Sequence, residues 1–424
     1  VGTGGSKADA GGMGGSKGTG GIASAPPPPL GTGGSASVPT DPPPPPGFLG
    51  MAPVSAKTLV PAISGGTLLV LADGDRAFAA DPDRDAIHFV DLREERLLST
   101  LTLQAGDEPG RAVEDAAGAV HVVLRGAGAV ASVNPDRTLR ERRAVCPAPR
   151  GIAFDPTGNV LHVACTGGEL LTLPAAGGAP TRTLHLDRDL RDVVVKGDKL
   201  YVSVFRSAEL LVLGANGDVL ERRRPPGSQP ASGMIMTEEG VRPLASPGVA
   251  WRLRPLPPTA SEDGVAMIHQ EASNEELAPR AGGYAGGPCK TPIGAAVASF
   301  GQGSTTSTGH MAAVNLPVDF AYSRDGKRMA VVAAGNANSF DHRPSVQVWS
   351  TTMFAKLPAA QGATPGVAAP PIPLGCMFPG QGQPPPEEIV EFRQPVGETT
   401  AIDFDGQGRI VVQTREPARL EILT

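Results

Sequence analysis

The chain lacks several features that would name a chemistry. No apolar run reaches about 18 residues, so no segment is predicted to cross a membrane as a helix. No CxxCH motif is present, so the residues given attach no haem covalently. The nucleophile elbow GxSxG, the zinc motif HExxH and the Walker-type phosphate loop are missing too. Cysteine is scarce: Cys146, Cys165, Cys289 and Cys376 are the four, with no CxxC pair and no zinc-site spacing against histidine. Basic residues are not in excess. A formal net charge of −6 argues against a nucleic-acid surface, which needs a basic face. The first residue is Val1 rather than Met, which suggests a processed or trimmed start, and the residues given contain no signal peptide, as a mature chain would not.

Glycine and proline are abundant, with 55 and 44 copies in 424 residues. Much of that excess lies in residues 1–55, which include the proline runs Pro26–Pro29 and Pro42–Pro46. Glycine-rich chain is a flexible coil and consecutive prolines form stiff polyproline II. Such a segment buries too little apolar surface to offset the entropy of ordering. It is expected to act as a tail or tether, like the spacer of a bacterial lipoprotein, although no lipidation cysteine is present. Residues 56–424 are expected to form the folded part.

There, short β-type runs alternate with Asp, Gly, Asn and Pro turns. The clearest unit covers 149–185: RGIAFDPTGN, VLHVACTGG, ELLTLPAAGG and TRTLHL. Similar units cover 67–103, 109–141, 190–223 and 317–350, with a degenerate one near 247–300 and a last one from Thr399. A four-stranded unit of roughly 40 residues repeated in this way predicts a β-propeller, and about seven units predict seven blades. The fold class is therefore all-β, with four-stranded antiparallel blades. The last unit stops after three strands. Residues 57–62, KTLVPA, are the best candidates to complete it, which would remove a sheet edge; the rival is an open end completed by further C-terminal sequence.

Two insertions break the pattern, at about 271–312 and 352–395. Each carries one cysteine, so a Cys289–Cys376 bridge would pin them together. Cys146 precedes a first strand and Cys165 ends the second strand of the same unit. Antiparallel neighbours bring those points together, so a disulfide is expected, with two buried thiols as the alternative. Two disulfides would fit an oxidising compartment: the periplasm, the outer membrane or the cell surface.

The segments ADPDRDAIHFVDL and PRGIAFDPTGN resemble the blades of bacterial YVTN-type propellers. CPAPRGIAFDPTGNVLHVACTGGELLTLPA, YVSVFRSAELLVL and VVQTREPARLEIL resemble the propeller part of secreted proteins that fuse a propeller to a c-type cytochrome domain of the di-haem peroxidase kind. The resemblance implies a seven-bladed propeller and, through a cytochrome partner, a redox role. Haem would enter only through a further domain or partner.

Aligned repeats give the main candidate site. Arg111, Arg150 and Arg191 share one position at the start of a first strand, which lines the channel in a propeller. Arg125, Arg206 and Arg415 fall at or just past the end of a second strand. Antiparallel strands bring both sets to one face, as a basic funnel suited to carboxylate or phosphate. The alternative is that each arginine pairs with a local acid such as Glu114 or Asp192 and braces the blades. His269 and Gln270 end a second strand and are expected at the same mouth, either as a pH-sensitive contact or general base, or as rim residues. Tyr284 lies on the adjoining insertion. His121 and His162 share an in-strand position, as ligands or as blade-packing residues. Asp81, Asp83 and Asp85 alternate as calcium ligands do, but the glycine and distal glutamate of an EF-hand loop are missing.

These features predict an extracytoplasmic binding or docking module, holding a protein partner or anionic ligand at the arginine mouth. No residue is assigned to catalysis, and no cofactor is expected for this chain alone. The alternatives are the propeller half of a haem peroxidase or electron-transfer system, and a structural subunit of a surface assembly joined through its tail.

Overall fold

The computed structural model describes residues 61–227, 236–237, 240–241, 245–260, 263–273, 293–301, 306–311, 314–336, 345–351, 373–374, 388–391 and 398–423. Seven antiparallel sheets follow one another along the chain, with a two-stranded hairpin, Met236–Thr237 and Gly240–Val241, between the fourth and fifth. They are the seven blades of a propeller, and the fold class is as expected.

Blades 1 to 4 run from Leu68 to Thr102, Pro109 to Ala144, Pro149 to His185 and Leu190 to Arg223. Blade 5 consists of Ala245–Pro255, Gly264–Ser273, Ile293–Gly301 and Thr306–Met311, with Pro373–Leu374 added in parallel at its outer edge. Blade 6 consists of Val314–Tyr322, Arg328–Asn336, Ser345–Ser350 and Glu388–Glu391. Blade 7 has three strands among the described residues: Thr399–Phe404, Ile410–Thr414 and Arg419–Leu423. Of the segment expected to complete it, Pro61 and Ala62 lie in no strand, and 57–60 fall outside the described residues.

The supposed insertions are partly blade. Thr306–Met311 is the outer strand of blade 5, and Glu388–Glu391 is the outer strand of blade 6. Their short, polar sequences hide the alternation that marks the other strands.

Burial explains the strand composition. The second and third strands of blade 2, Val120–Leu124 and Ala129–Val133, are buried at every position. They face a neighbouring blade on each side, so they are almost continuously apolar. The outer strand Leu139–Ala144, LRERRA, meets water and carries charge. Inner strands approach closely near the axis. A side chain at Gly151 would place its Cβ 2.6 Å from the Asp192 Cα of the next blade.

Polar contacts join the last blade to the first. Gln413 accepts from the Thr67 hydroxyl at 2.8 Å and donates to the Ala80 carbonyl at 2.7 Å. The Val70 amide donates to Asp403 at 3.1 Å. Cys146, just before the first strand of blade 3, and Cys165, at the end of its second, form a disulfide. Cys289, Cys376 and Tyr284 lie outside the described residues.

Candidate functional site

The site begins with a repeated irregularity. In blades 2 to 7 the first strand slips register against the second near one end. The unpaired positions include Arg111, Arg150, Arg191, Trp251, Val318 and Thr400. A β-bulge bends its strand and re-aims the extra side chain. Here it gathers residues of successive blades at one channel mouth.

Contacts across that mouth are direct. Arg111 donates to the Arg191 carbonyl at 2.8 Å and to the Trp251 carbonyl at 2.5 Å. The Arg191 guanidinium lies 4.6 Å from the Phe205 ring centre and 5.2 Å from that of Trp251. Such stacking suits a planar cation removed from water. Gln270 accepts from the Trp251 indole at 3.0 Å and so supports that wall.

The chain's own lead-in occupies the mouth. Its carbonyls accept from three arginines: Pro61 from Arg415 at 2.6 Å, Ala62 from Arg125 at 3.0 Å and Ser64 from Arg191 at 2.5 Å. Backbone carbonyls, with only partial negative charge, thus stand where the sequence led us to expect an anion. The Ser64 hydroxyl is buried there without a hydrogen-bond partner.

Charge at the mouth is unevenly matched. Arg415 holds Asp83 through two bonds of 2.6 Å, and Arg125 lies 3.7 Å from Glu108. Arg150 donates to the Thr166 hydroxyl at 3.3 Å. Among the described residues, neither Arg150 nor Arg191 makes an ion pair. Burial pushes Arg191 well below the usual guanidinium range, and the charges of Arg111, Arg150 and Arg125 add to the push. Burial, followed by the charge of Arg150, brings Arg125 down to about 10.

Deeper in the channel the charges alternate and are matched. Asp192 lies 3.1 Å from Arg111 and 3.0 Å from Arg252, and Arg252 lies 3.2 Å from Asp319. The same aspartates tie blade to blade. Asp192 accepts from the Leu253 amide at 2.9 Å and Asp319 from the Ile402 amide at 3.1 Å. Arg111 therefore has both roles weighed for it: it reaches the mouth and also braces the ring through Asp192. Glu114 pairs with none of these arginines and accepts from the Ala72 amide instead.

Other candidates fall elsewhere. Arg206 sits in the short 3-10 turn Phe205–Ser207, largely exposed, 3.3 Å from Asp189. His269 is fully buried inside blade 5, 3.4 Å from Glu271. Strand alternation turns it away from Trp251 while its neighbour Gln270 faces that ring. Asp81, Asp83 and Asp85 are directed to separate partners. Asp81 holds Arg84, Asp83 holds Arg415, and Asp85 accepts from the Gly106 and Glu108 amides. Among the described residues no group of three metal-binding side chains converges.

A recurrent triad was only half legible in sequence. His121 Nδ1 lies 2.9 Å from the Ser132 hydroxyl and Nε2 lies 3.0 Å from Asp115. His162 similarly meets Thr172 at 3.2 Å and Asp155 at 4.0 Å. In blade 1, His88 meets Thr100 at 3.0 Å and Asp81 at 3.9 Å. The Ser132 and His121 side chains are fully buried, so these sets pin strands together and no substrate reaches that hydroxyl. The signal was an aspartate six or seven residues before each histidine.

A cleft of about 290 Å³ adjoins the mouth at the seam of blades 7 and 1. Its walls include Ile63, Val90, Leu97 and Leu420, with Arg415 and Asp83 at one side.

Comparison with protein-family models finds no match, and a search of curated proteins also finds none. Solved structures are similar in fold. Kuenenia stuttgartiensis hydrazine synthase matches with a TM-score of 0.62 and 14% identity, over 88% of this chain and 99% of that one. A streptogramin B lyase matches at 0.53 and 9% identity, over 86% and 96%. The virginiamycin B lyase from Staphylococcus aureus matches at 0.53 and 11% identity, over 85% and 95%. At such identities the likeness shows the seven-bladed propeller alone.

Proposed function

We propose that this chain is a binding module whose arginine mouth takes a carboxylate-bearing ligand or the acidic patch of a partner protein. One observation carries the reading. Arg150 and Arg191 are brought together with Arg111 and Arg125, and among the described residues neither makes an ion pair; the acids that act on them, Glu108 and Asp189 on Arg150 and Asp192 on Arg191, lie beyond ion-pair distance. Grouping buried guanidinium groups is costly unless something offsets their repulsion. An anion does so, with charge-assisted and bidentate bonds. Bracing is assigned to the deeper Asp192–Arg252–Asp319 chain, where every charge has its opposite.

The disulfide supports placing the module outside the cytoplasm, since such bonds persist in oxidising compartments. Among the described residues no helix is long and apolar enough to cross a membrane. Residues 1–55 would then serve as its tether.

Citrate is a suitable probe. Titration calorimetry of the full chain at low salt is expected to show binding that weakens as salt rises. Arg150→Ala is expected to weaken it about tenfold, the loss of about 1.4 kcal/mol of charge-assisted bonding. Absence of binding, or equal affinity in the variant, would overturn the assignment.

A further inference from the structure

The lead-in is held more firmly than a linker requires. Ser64 and Thr67 are buried, and Gly65 and Gly66 between them have φ of +71° and +70°. Both glycines therefore adopt a left-handed turn that other residues resist. That turn drops the chain into the channel. A Cβ at Gly65 would meet the Val318 carbonyl oxygen at 1.9 Å. At Gly66 it would lie 3.1 Å from Arg111 and 3.2 Å from Arg252. The turn presents the carbonyls of Pro61, Ala62 and Ser64 to Arg415, Arg125 and Arg191.

We infer that the Pro61–Gly66 lead-in is an internal competitor for the arginine mouth, which an anionic ligand must displace to bind. This rests on the mouth being the binding site, as proposed above. The geometry supplies both halves of a competition. Arg191 and Arg125, two of the donors that would clasp a carboxylate, are already donating to lead-in carbonyls. Those carbonyls are weak substitutes, because a carbonyl oxygen accepts a hydrogen bond without neutralising a guanidinium charge. The contacts also join a backbone segment to side chains without a covalent bond or an ion pair, so the lead-in is replaceable. While it is docked, the competent fraction of the protein is small, and apparent affinity falls by that fraction.

The test uses the full chain, with citrate as the probe, and Gly65→Val as the variant. A β-branched side chain cannot occupy the space beside the Val318 carbonyl, so the variant expels the lead-in without altering an arginine. Citrate is expected to bind Gly65→Val at least about tenfold more tightly than the parent chain, by the population argument. Equal affinities would overturn the competition and leave the site assignment standing. No binding to either protein would overturn both. Hydrogen exchange on the unaltered chain gives an independent readout should the variant fail to fold. Saturating citrate is expected to speed amide exchange at Ile63–Gly66 by about tenfold or more while blade strands stay protected. Citrate binding confirmed by calorimetry with unchanged exchange in that segment would reject the displacement.

Discussion

Replacing Asp192 by Ala is expected to lower the unfolding free energy by about 4 kcal/mol, because it leaves buried cations without their counter-charge. Asp192 is fully enclosed and serves two blades at once. Its carboxylate lies 3.1 Å from Arg111 and 3.0 Å from Arg252, and it accepts from the Leu253 amide at 2.9 Å. Burial alone would raise its pKa, but the guanidinium groups of Arg111 and Arg252 outweigh that and hold it below the usual carboxylate range. Its removal strands Arg111, which burial already brings down to about 10. Asp192→Asn keeps an acceptor for the Leu253 amide and should lose less than Asp192→Ala. Urea unfolding of the three proteins checks this order. A loss under about 1 kcal/mol for Asp192→Ala would show that this charge chain does not brace the ring.

Acidification from neutral pH to about pH 5 is expected to destabilise the fold before most of its carboxylates titrate. Burial brings His162 from 6.5 to about 4, partly opposed by Asp155 and reinforced by Arg182. Burial also lowers His121, although Asp115 pulls the other way. A histidine with a depressed folded-state pKa is neutral in both states above about 6.5 and contributes no pH dependence there. As the pH falls below 6.5, the unfolded chain takes up protons that the folded chain does not. The His162 contribution to stability therefore declines between about 6.5 and 4 and levels off below its own value. A change from 6.5 to about 4 corresponds to about 3 kcal/mol for His162 alone. Urea midpoints measured across this range should fall for the parent chain and flatten in His162→Gln. An identical profile in the variant would remove His162 as the cause.

How much of this was legible in the sequence depends on the distance over which each feature is encoded. The blades were visible because a strand buried on both faces is apolar throughout, as in Val120–Leu124, and its turns recur at short spacing. The shared position of Arg111, Arg150 and Arg191 was visible for the same reason, since each sits at a fixed offset from a local turn. The pairing of Cys146 with Cys165 followed from two adjacent strands.

What was hidden involves the ring or the backbone. Asp192, Arg252 and Asp319 belong to three different blades, and nothing local links them. The occupancy of the mouth by Pro61, Ala62 and Ser64 is made through carbonyls, which every residue carries. The placement of His269 at the mouth failed on period-two alternation: adjacent residues face opposite ways, and only Gln270 points toward Trp251. The outer strands of blades 5 and 6 escaped notice because strands at the rim need not be apolar.

The most direct measurement is a structure of the full chain with citrate, at side-chain resolution, viewed at the mouth. The account predicts a citrate carboxylate against Arg150 and Arg191, with the Ser64 carbonyl withdrawn from Arg191. A mouth still filled by Pro61–Ser64, with citrate elsewhere or unbound, would contradict it, and the arginines would then be a clasp for the chain's own lead-in.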